Sequence, residues 1–297
     1  PLFLAFNRSK KSIALNLKAR GGPELALALA LQCDVLVENF RPGVMKRFGL
    51  DPETVRAADP KLIYVSISAF GADGSMSDRP GLDPVLQAES GMMALTGAEG
   101  GPPVRTPLSM IDTLTASNAF GAICAALIGR ERSGRGDFID LSLMDTAYAA
   151  LGNIGLGYLS TGTVPRRAGS GHVQSTPSDL FDTKTDPIYM AVATDRLFRT
   201  FCHDVLERPD LAEDPRFSSA AARLQHRSEL YALIEPVIKT ESAAYWLQRM
   251  RHLPVGVVRT IDVALEAPEA LERNMVRTIQ NKDGKEIRLL GSPLKLT

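Results

Sequence analysis

Three aspartates, Asp137, Asp140 and Asp145, stand in one otherwise apolar stretch, GRGDFIDLSLMDTAYAALG. A carboxylate in such a setting can cap a helix or sit buried as a structural group. It can also attack an activated acyl carbon and split one difficult transfer into two easier ones. Asp145 falls where strand-like alternation gives way to helical spacing. The N-cap and nucleophile readings use the same geometry there. The helix dipole favours an ionised carboxylate, and open parallel sheets bind ligands beyond the carboxyl ends of their strands. Alternation puts Asp140 and Ser142 on the strand face opposite Asp145, and Asp137 at an exposed turn, so these two acids read as scaffold. Asp83, in RPGLDPVLQAESG, precedes a proline at another helix start, where cap and active-site readings stand level. Asp112, in the apolar helix after RTPLSM, reads as a buried, hydrogen-bonded structural acid.

Other chemistry-bearing residues cluster just past a strand end, in VENFRPGVMKRFG. Here Asn39, Phe40, Arg41, Lys46 and Arg47 offer cations for phosphates and an aromatic ring for a base. An ordinary loop with solvated cations has the same composition. RRAGSGH, with Gly169 and Gly171, reads as a mobile loop able to close over a site, or as a plain linker. Neither a G-x-x-x-x-G-K-[ST] nor a G-x-G-x-x-G pattern is present. The four histidines show no metal-ligand spacing, so no metal site is expected. Cys33, Cys124 and Cys202 are odd in number and far apart, which reads as reduced, mostly buried thiols in a cytoplasmic protein, with Cys124 in the core.

The elements that would position these groups alternate. SIALNLK, DVLVENF, KLIYVSISAFG and DFIDLSLM read as strands. GPELALALALQC, GVMKRFG and DPETVRAADP read as helices, the last with Asp51 as N-cap and Pro52 at its first position. DPVLQAESGMMALTG, LSMIDTLTASNAFGAICAALIGRER and TAYAALGNIGLGYLSTG read as three more helices, the second apolar on most faces and therefore central. The class is α/β, a Rossmann-like parallel sheet covered by helices over residues 1–162. A Gly/Pro/Ser-rich linker follows over 163–179, then a smaller α+β domain over 180–276. It opens on a hairpin, LFDTKTDPIYMAVATD, and its second hairpin, RTIQNKDGKEIRLLG, carries an Asp-Gly turn.

The chain has 297 residues, 44% of them hydrophobic, enough for one large or two ordinary cores. Lys plus Arg equals Asp plus Glu at 34 each, which removes any electrostatic case for a nucleic-acid or membrane-surface partner. No segment reads as long and apolar enough to span a bilayer. The sequence begins PLFLAF without Met, and the expectation is that it lacks its natural N-terminus.

Taken in order, these stretches resemble the family III CoA-transferases. NRSKKSIALNLK is similar to the family's N-R-x-K-x-S-[IV]-x-L-[ND]-L-K segment, and DVLVENFRPGVMKRFGL to its V-E-N-F-R-P-G motif. LIYVSISAFG, QAESGMMALTG, GRGDFIDLSLMD, RFSSAAARLQHRSEL and MRHLPVGVV follow in the family's order, so that nearly the whole chain is covered. The resemblance implies that Asp145 is the family's aspartate, which attacks an acyl-CoA thioester and carries CoA to a carboxylic acid acceptor. It implies a CoA nucleotide site at Leu15, Lys18, Asn39, Phe40 and Arg47, and an acyl pocket ordered by Asp83. Gly169 and Gly171 would lie in the family's mobile loop, on a looser match. Coenzyme A and its thioesters would be substrates, with no tightly bound cofactor, and the partners would be small carboxylic acids and a second chain in an interlocked, ring-like homodimer. Residues 277–297 would return toward the large domain. Family chains begin earlier, with an active-site glutamine, and continue past GSPLKLT. The same fold carries 2-methylacyl-CoA racemases, but their acid/base histidine aligns with Leu82, which has no proton to transfer. A non-catalytic CoA-binding relative is the other alternative.

Overall fold

The structure is a computed structural model that describes residues 2–281 and 283–296. The chain divides into two compact units, one of residues 14–173 and one of residues 1–13 with 174–297.

The first unit is built on a parallel sheet in the order β1 (Val35–Glu38), β2 (Ile63–Ser68), β3 (Phe138–Ser142). Its other elements are α2 (Gly22–Ala30), α3 (Val44–Arg47), α4 (Pro52–Ala58), α5 (Asp83–Glu89), α6 (Met92–Leu95), α7 (Met110–Ser133), α8 (Leu143–Ala150) and α9 (Gly152–Thr161). The helix α1 (Leu2–Phe6) belongs to the second unit. The β-branched run Ile63–Val65–Ile67 alternates with Tyr64–Ser66–Ser68, which divides the sheet into two unlike faces. One face is apolar. Ile63, Val65, Ile139 and Leu141 pack there against Ile123, Ala126 and Leu127 of α7. The other begins apolar, with Leu36 and Tyr64 against Val55 of α4 and Leu27 of α2, and turns polar toward the strand ends at Glu38, Ser66 and Ser68. Burying both sheet faces under helices is what a parallel sheet requires.

Several expectations need correcting. SIALNLK forms no strand: residues 12–16 run without a ladder partner and enter turns before α2. Gly91 and Gly152, both at positive φ, divide two of the expected long helices into α5 and α6 and into α8 and α9. The helix α7 buries only Ile111, Thr115, Ala119 and Ala126, one stripe rather than all faces, and leaves Phe120 and Ile128 more than half exposed. By length and composition alone, this helix is long and apolar enough to cross a membrane, contrary to the reading that no segment is. Its alanines, glycines and hydroxyl residues are mild enough to sit against a sheet on one side and open space on the other. Of the three thiols expected to be mostly buried, Cys202 is buried, Cys124 is half-buried rather than core, and Cys33 is exposed.

The second unit carries an antiparallel sheet, β4 (Ser178–Phe181), β5 (Ile188–Ala191) and β6 (Val255–Val257). Its helices are α10 (Asp195–Asp204), α11 (Pro209–Glu213), α12 (Ala220–Gln225), α13 (Arg227–Ile238), α14 (Ala243–Arg249), α15 (Ile261–Leu265) and α16 (Pro268–Glu272). In α10, Phe198, Phe201 and Cys202 recur at helical spacing and face a core with Phe181, Ile188, Met190, Ile234 and Trp246. The hairpin β7 (Val276–Gln280) and β8 (Glu286–Leu290) turns at Gly284, with φ of 76°; Lys282, in its loop, lies outside the described residues. Residues 277–297 group with this unit, where β8 packs on α1 and Arg8 donates to the Leu290 carbonyl.

Candidate active site

Asp145 is the third residue of α8, exposed, and none of the described residues hydrogen bonds to or pairs with its carboxylate. The N-cap is Ser142. Its backbone is still extended (φ −98°, ψ 132°), and its hydroxyl accepts the Asp145 N–H at 3.1 Å. The expected cap position for Asp145 is therefore displaced by three residues. The S-x-x-D spacing was the signal for it, since a capping hydroxyl reaches the third helical N–H. A residue that need not cap keeps its carboxylate free, and a negative charge in the first helical turn is still stabilised by the dipole.

Asp83, the first residue of α5, is 4% exposed. Its carboxylate accepts the backbone N–H of Ile111 (2.8 Å) and Asp112 (3.2 Å) and an Nε2–H of Gln87 (2.6 Å). It thus caps α7, whose own N-cap Ser109 makes no side-chain bond. Asp112 is not the buried structural acid expected. Its side chain is exposed, and only its backbone is held by Asp83. Partial burial and then the neighbouring Asp83 charge push its carboxyl above the usual range.

At the carboxyl edge of the sheet, Asn39 donates to the Ile67 carbonyl at 2.6 Å, tying the loop after β1 to the end of β2. Phe40 is half exposed, and its N–H donates to Glu38 Oε2 at 2.8 Å. Arg47 ends α3, exposed. Leu15 is half-buried and Lys18 exposed, both ahead of α2; among the described residues no hydrogen bond joins either to the 39–47 segment. Gly169 adopts φ of 61° and donates to the Gly97 carbonyl at 3.1 Å, and the Gly171 N–H turns back to Ala168 at 2.9 Å. Arg167 anchors the same loop through the carbonyls of Ala94 (3.0 Å) and Gly101 (2.7 Å). Asn39 and Phe40 are thus adjacent at the strand edge from which Asp145 also emerges, while Gly169 and Gly171 are held beside residues 94–101.

A cavity of about 530 Å³ lies over the polar half of the sheet, lined among others by Glu38, Arg41, Lys46, Arg56, Ser68 and Arg135. Sequence reasoning singled out Arg41 and Lys46 but missed Arg56, Arg135 and the serines. The signal available was the alternation IYVSIS, which sets Ser66 and Ser68 on one face. Glu38 accepts from the Ser66 hydroxyl on this face. Among the described residues no group of three His, Cys, Asp or Glu is placed to hold a metal ion.

The model of CoA-transferase family III matches residues 1–297. The chain belongs to CoA-transferase family III. It is 37% identical over 300 residues to an acetyl-CoA:oxalate CoA-transferase of Acetobacter aceti, covering 100% of this chain and 76% of that enzyme. It is 36% identical to an acyl-CoA transferase of Fusarium pseudograminearum, covering 92% of this chain and 60% of that protein. The chain thus spans about three fifths of the fungal relative's length. A crystal structure of a CAIB/BAIF family protein from Brucella suis superposes with a TM-score of 0.83 at 32% identity, over 99% of this chain and 77% of that one. The α/β fold with a parallel sheet is the family's.

Proposed function

We propose that this family III chain moves CoA from an acyl-CoA donor to a small carboxylic acid, with Asp145 as covalent nucleophile. The observation that carries the reading is the exposed Asp145 carboxylate, without a hydrogen-bond or ion-pair partner among the described residues, in the first turn of α8, three residues beyond the end of β3. A carboxylate oxygen of Asp145 attacks the thioester carbonyl, the C–S bond breaks, and CoA leaves as thiolate, giving a mixed anhydride. The thiolate then attacks the aspartyl carbonyl. An aspartyl-CoA thioester forms and the donor acid departs as carboxylate. The acceptor carboxylate repeats the first step on that thioester, and the thiolate repeats the second on the acceptor's acyl carbon. Asp145 is returned, and no water enters. Coenzyme A is a substrate throughout, and the cycle needs no tightly bound cofactor. Its nucleotide would lie against Asn39, Phe40 and Arg47 with Leu15 and Lys18 nearby, where a ring and cations are available. Asp83, through its hold on α7, and the loop at Gly169 and Gly171 would order the acyl side.

The protein would act in the cytoplasm as an interlocked homodimer, on acids such as oxalate, succinate, short branched dicarboxylates or carnitine-like acids. Acceptor choice depends on a few contacts in a small pocket. The test is to mix the protein with succinyl-CoA or acetyl-CoA, map adducts by peptide mass spectrometry, and assay a panel of carboxylates. The expected adduct sits on the peptide carrying Asp145 and disappears in Asp145→Ala together with turnover. Turnover retained in Asp145→Ala would sink the mechanism. Exchange of an α-proton with deuterated water without an acceptor would favour a racemase instead.

A further inference from the structure

The junction that carries Asp145 is tied to one loop. Residues Ala69–Ala72 leave the end of β2, the neighbour of β3, and hydrogen bonds run from them to both sides of the β3–α8 turn. The Met144 N–H donates to the Ala69 carbonyl at 3.0 Å. The Ser142 hydroxyl donates to the same carbonyl at 3.4 Å while accepting the Asp145 N–H at 3.1 Å. Asp140 Oδ2 accepts the Ala72 N–H at 3.1 Å. The loop is closed on itself by the Gly71 N–H, which donates to Ser68 Oγ at 2.9 Å. Ser68 and Ser142 are direct cross-strand partners, both buried. Gly71 takes φ of 95°, a conformation that glycine adopts without strain and that brings its N–H and that of Ala72 to the two side chains. Beneath the polar bonds, Phe70 and Ile67 pack with Leu143 and Met144.

We propose that Ser142 and Asp140 are positioning residues for the Asp145 nucleophile, holding its turn against the 69–72 loop. This rests on the reading of Asp145 as nucleophile. Ser142 is the more direct of the two, since its one hydroxyl joins the Asp145 backbone to the Ala69 carbonyl. Asp140, which the sequence marks only as scaffold, fixes the far end of the same loop. Covalent attack on a thioester demands that the oxygen stay within a few tenths of an ångström of its line of approach, and loosening by about 1 Å costs on the order of a hundredfold in rate. On the proposed reading the CoA nucleotide lies against Leu15, Lys18, Asn39, Phe40 and Arg47, whose hydrogen bonds among the described residues do not run to residues 69–72 or 140–145, so loosening this turn is expected to act on the chemical step.

The experiment measures single-turnover formation of the Asp145 adduct with succinyl-CoA in Ser142→Ala, Asp140→Ala, Ser142→Thr and Asp140→Asn, beside the unsubstituted protein and Asp145→Ala. The alanine variants are expected to slow adduct formation by about tenfold or more while half-saturating succinyl-CoA changes by less than about twofold. Threonine keeps the hydroxyl and asparagine keeps an acceptor, so both are expected within about threefold of the unsubstituted rate. Folding is checked by circular dichroism at the assay temperature. Should an alanine variant not fold, the conservative variant at that position decides, and a tenfold loss there overturns the proposal. Unchanged rates in the alanine variants overturn it too, as does a rise in half-saturation matching the loss in rate. An adduct absent from the unsubstituted protein, or on another residue, overturns the nucleophile reading instead, and is told apart by the peptide map.

Discussion

Arg223 is the side chain on which the loops of the second unit converge. It is fully buried and donates to the carbonyls of Thr176 (3.1 Å), Phe217 (2.8 Å) and Ala193 (2.6 Å) and to Asp195 (2.7 Å), with its guanidinium over the Phe198 ring at 4.5 Å. A planar five-donor group satisfies all four acceptors at once. Arg223→Ala is therefore expected to lower the unfolding free energy by about 2–5 kcal/mol, because buried carbonyls left unpaired cost about 1–3 kcal/mol each, while Asp195, about half exposed, can turn to water. Arg223→Lys should recover only part of this, because an ammonium cannot span the same acceptors. Urea denaturation reads both, and a loss under about 1 kcal/mol in the alanine variant would refute the assignment. In the sequence, this arginine is one of several in RFSSAAARLQHRSEL, and nothing in its spacing sets it apart. Its role comes from acceptors between 6 and 47 residues away. Asp83 was half legible for the same reason. A proline after an aspartate announces a helix start, but the helix that Asp83 caps is α7, 28 residues further on.

At the scale of elements, local rules were read correctly where the partners are local. Asp51 caps α4 as its sequence predicts. Thr54 donates to it from both its N–H (3.0 Å) and its hydroxyl (2.9 Å), and Pro52 fills the first position. Burial raises the Asp51 pKa, but the Thr54 bonds and the Lys46 charge outweigh it and hold the carboxyl below its ordinary 3.8. A lowered folded value means that the stabilisation is complete above the unfolded pKa and is lost as pH falls through the folded one. Asp51→Ala should thus cost about 1 kcal/mol at pH 7, and the gap to the unsubstituted protein should narrow below about pH 4. Asp51→Asn, which keeps an acceptor, should sit close to the unsubstituted protein at pH 7. Urea midpoints at the two pH values check this, and a gap that widens on acidification would contradict it. Where partners are distant, periodicity misled. SIALNLK has the alternation of a strand but no neighbouring strand to pair with among the described residues. Apolar α7 was read as central, yet it lies on the sheet by one stripe only.

For the whole molecule, the legible part was the parallel arrangement. Strands alternating with helices in the first 162 residues imply parallel pairing, whereas the order β1–β2–β3 has no signature in that alternation. What the composition could not indicate is how much apolar surface one chain leaves open. Leu156 and Leu159 on α9 are 65% and 79% exposed, Tyr148 on α8 is half exposed, and Phe120 and Ile128 on α7 are uncovered as well. Exposed apolar side chains on these helices are where the surface of the proposed homodimer would lie. With equal numbers of acidic and basic side chains, no net charge opposes association of identical copies. The proposed homodimer accordingly predicts a sedimentation mass of twice the 32.1 kDa of one chain, unchanged across micromolar dilution. Leu156→Arg combined with Leu159→Arg places two charges where apolar contact is expected, and should yield monomer or a protein that melts well below the parent. A parent that sediments as a monomer at micromolar concentration, or a double variant with the parent's mass and melting temperature, would remove these helices from the interface.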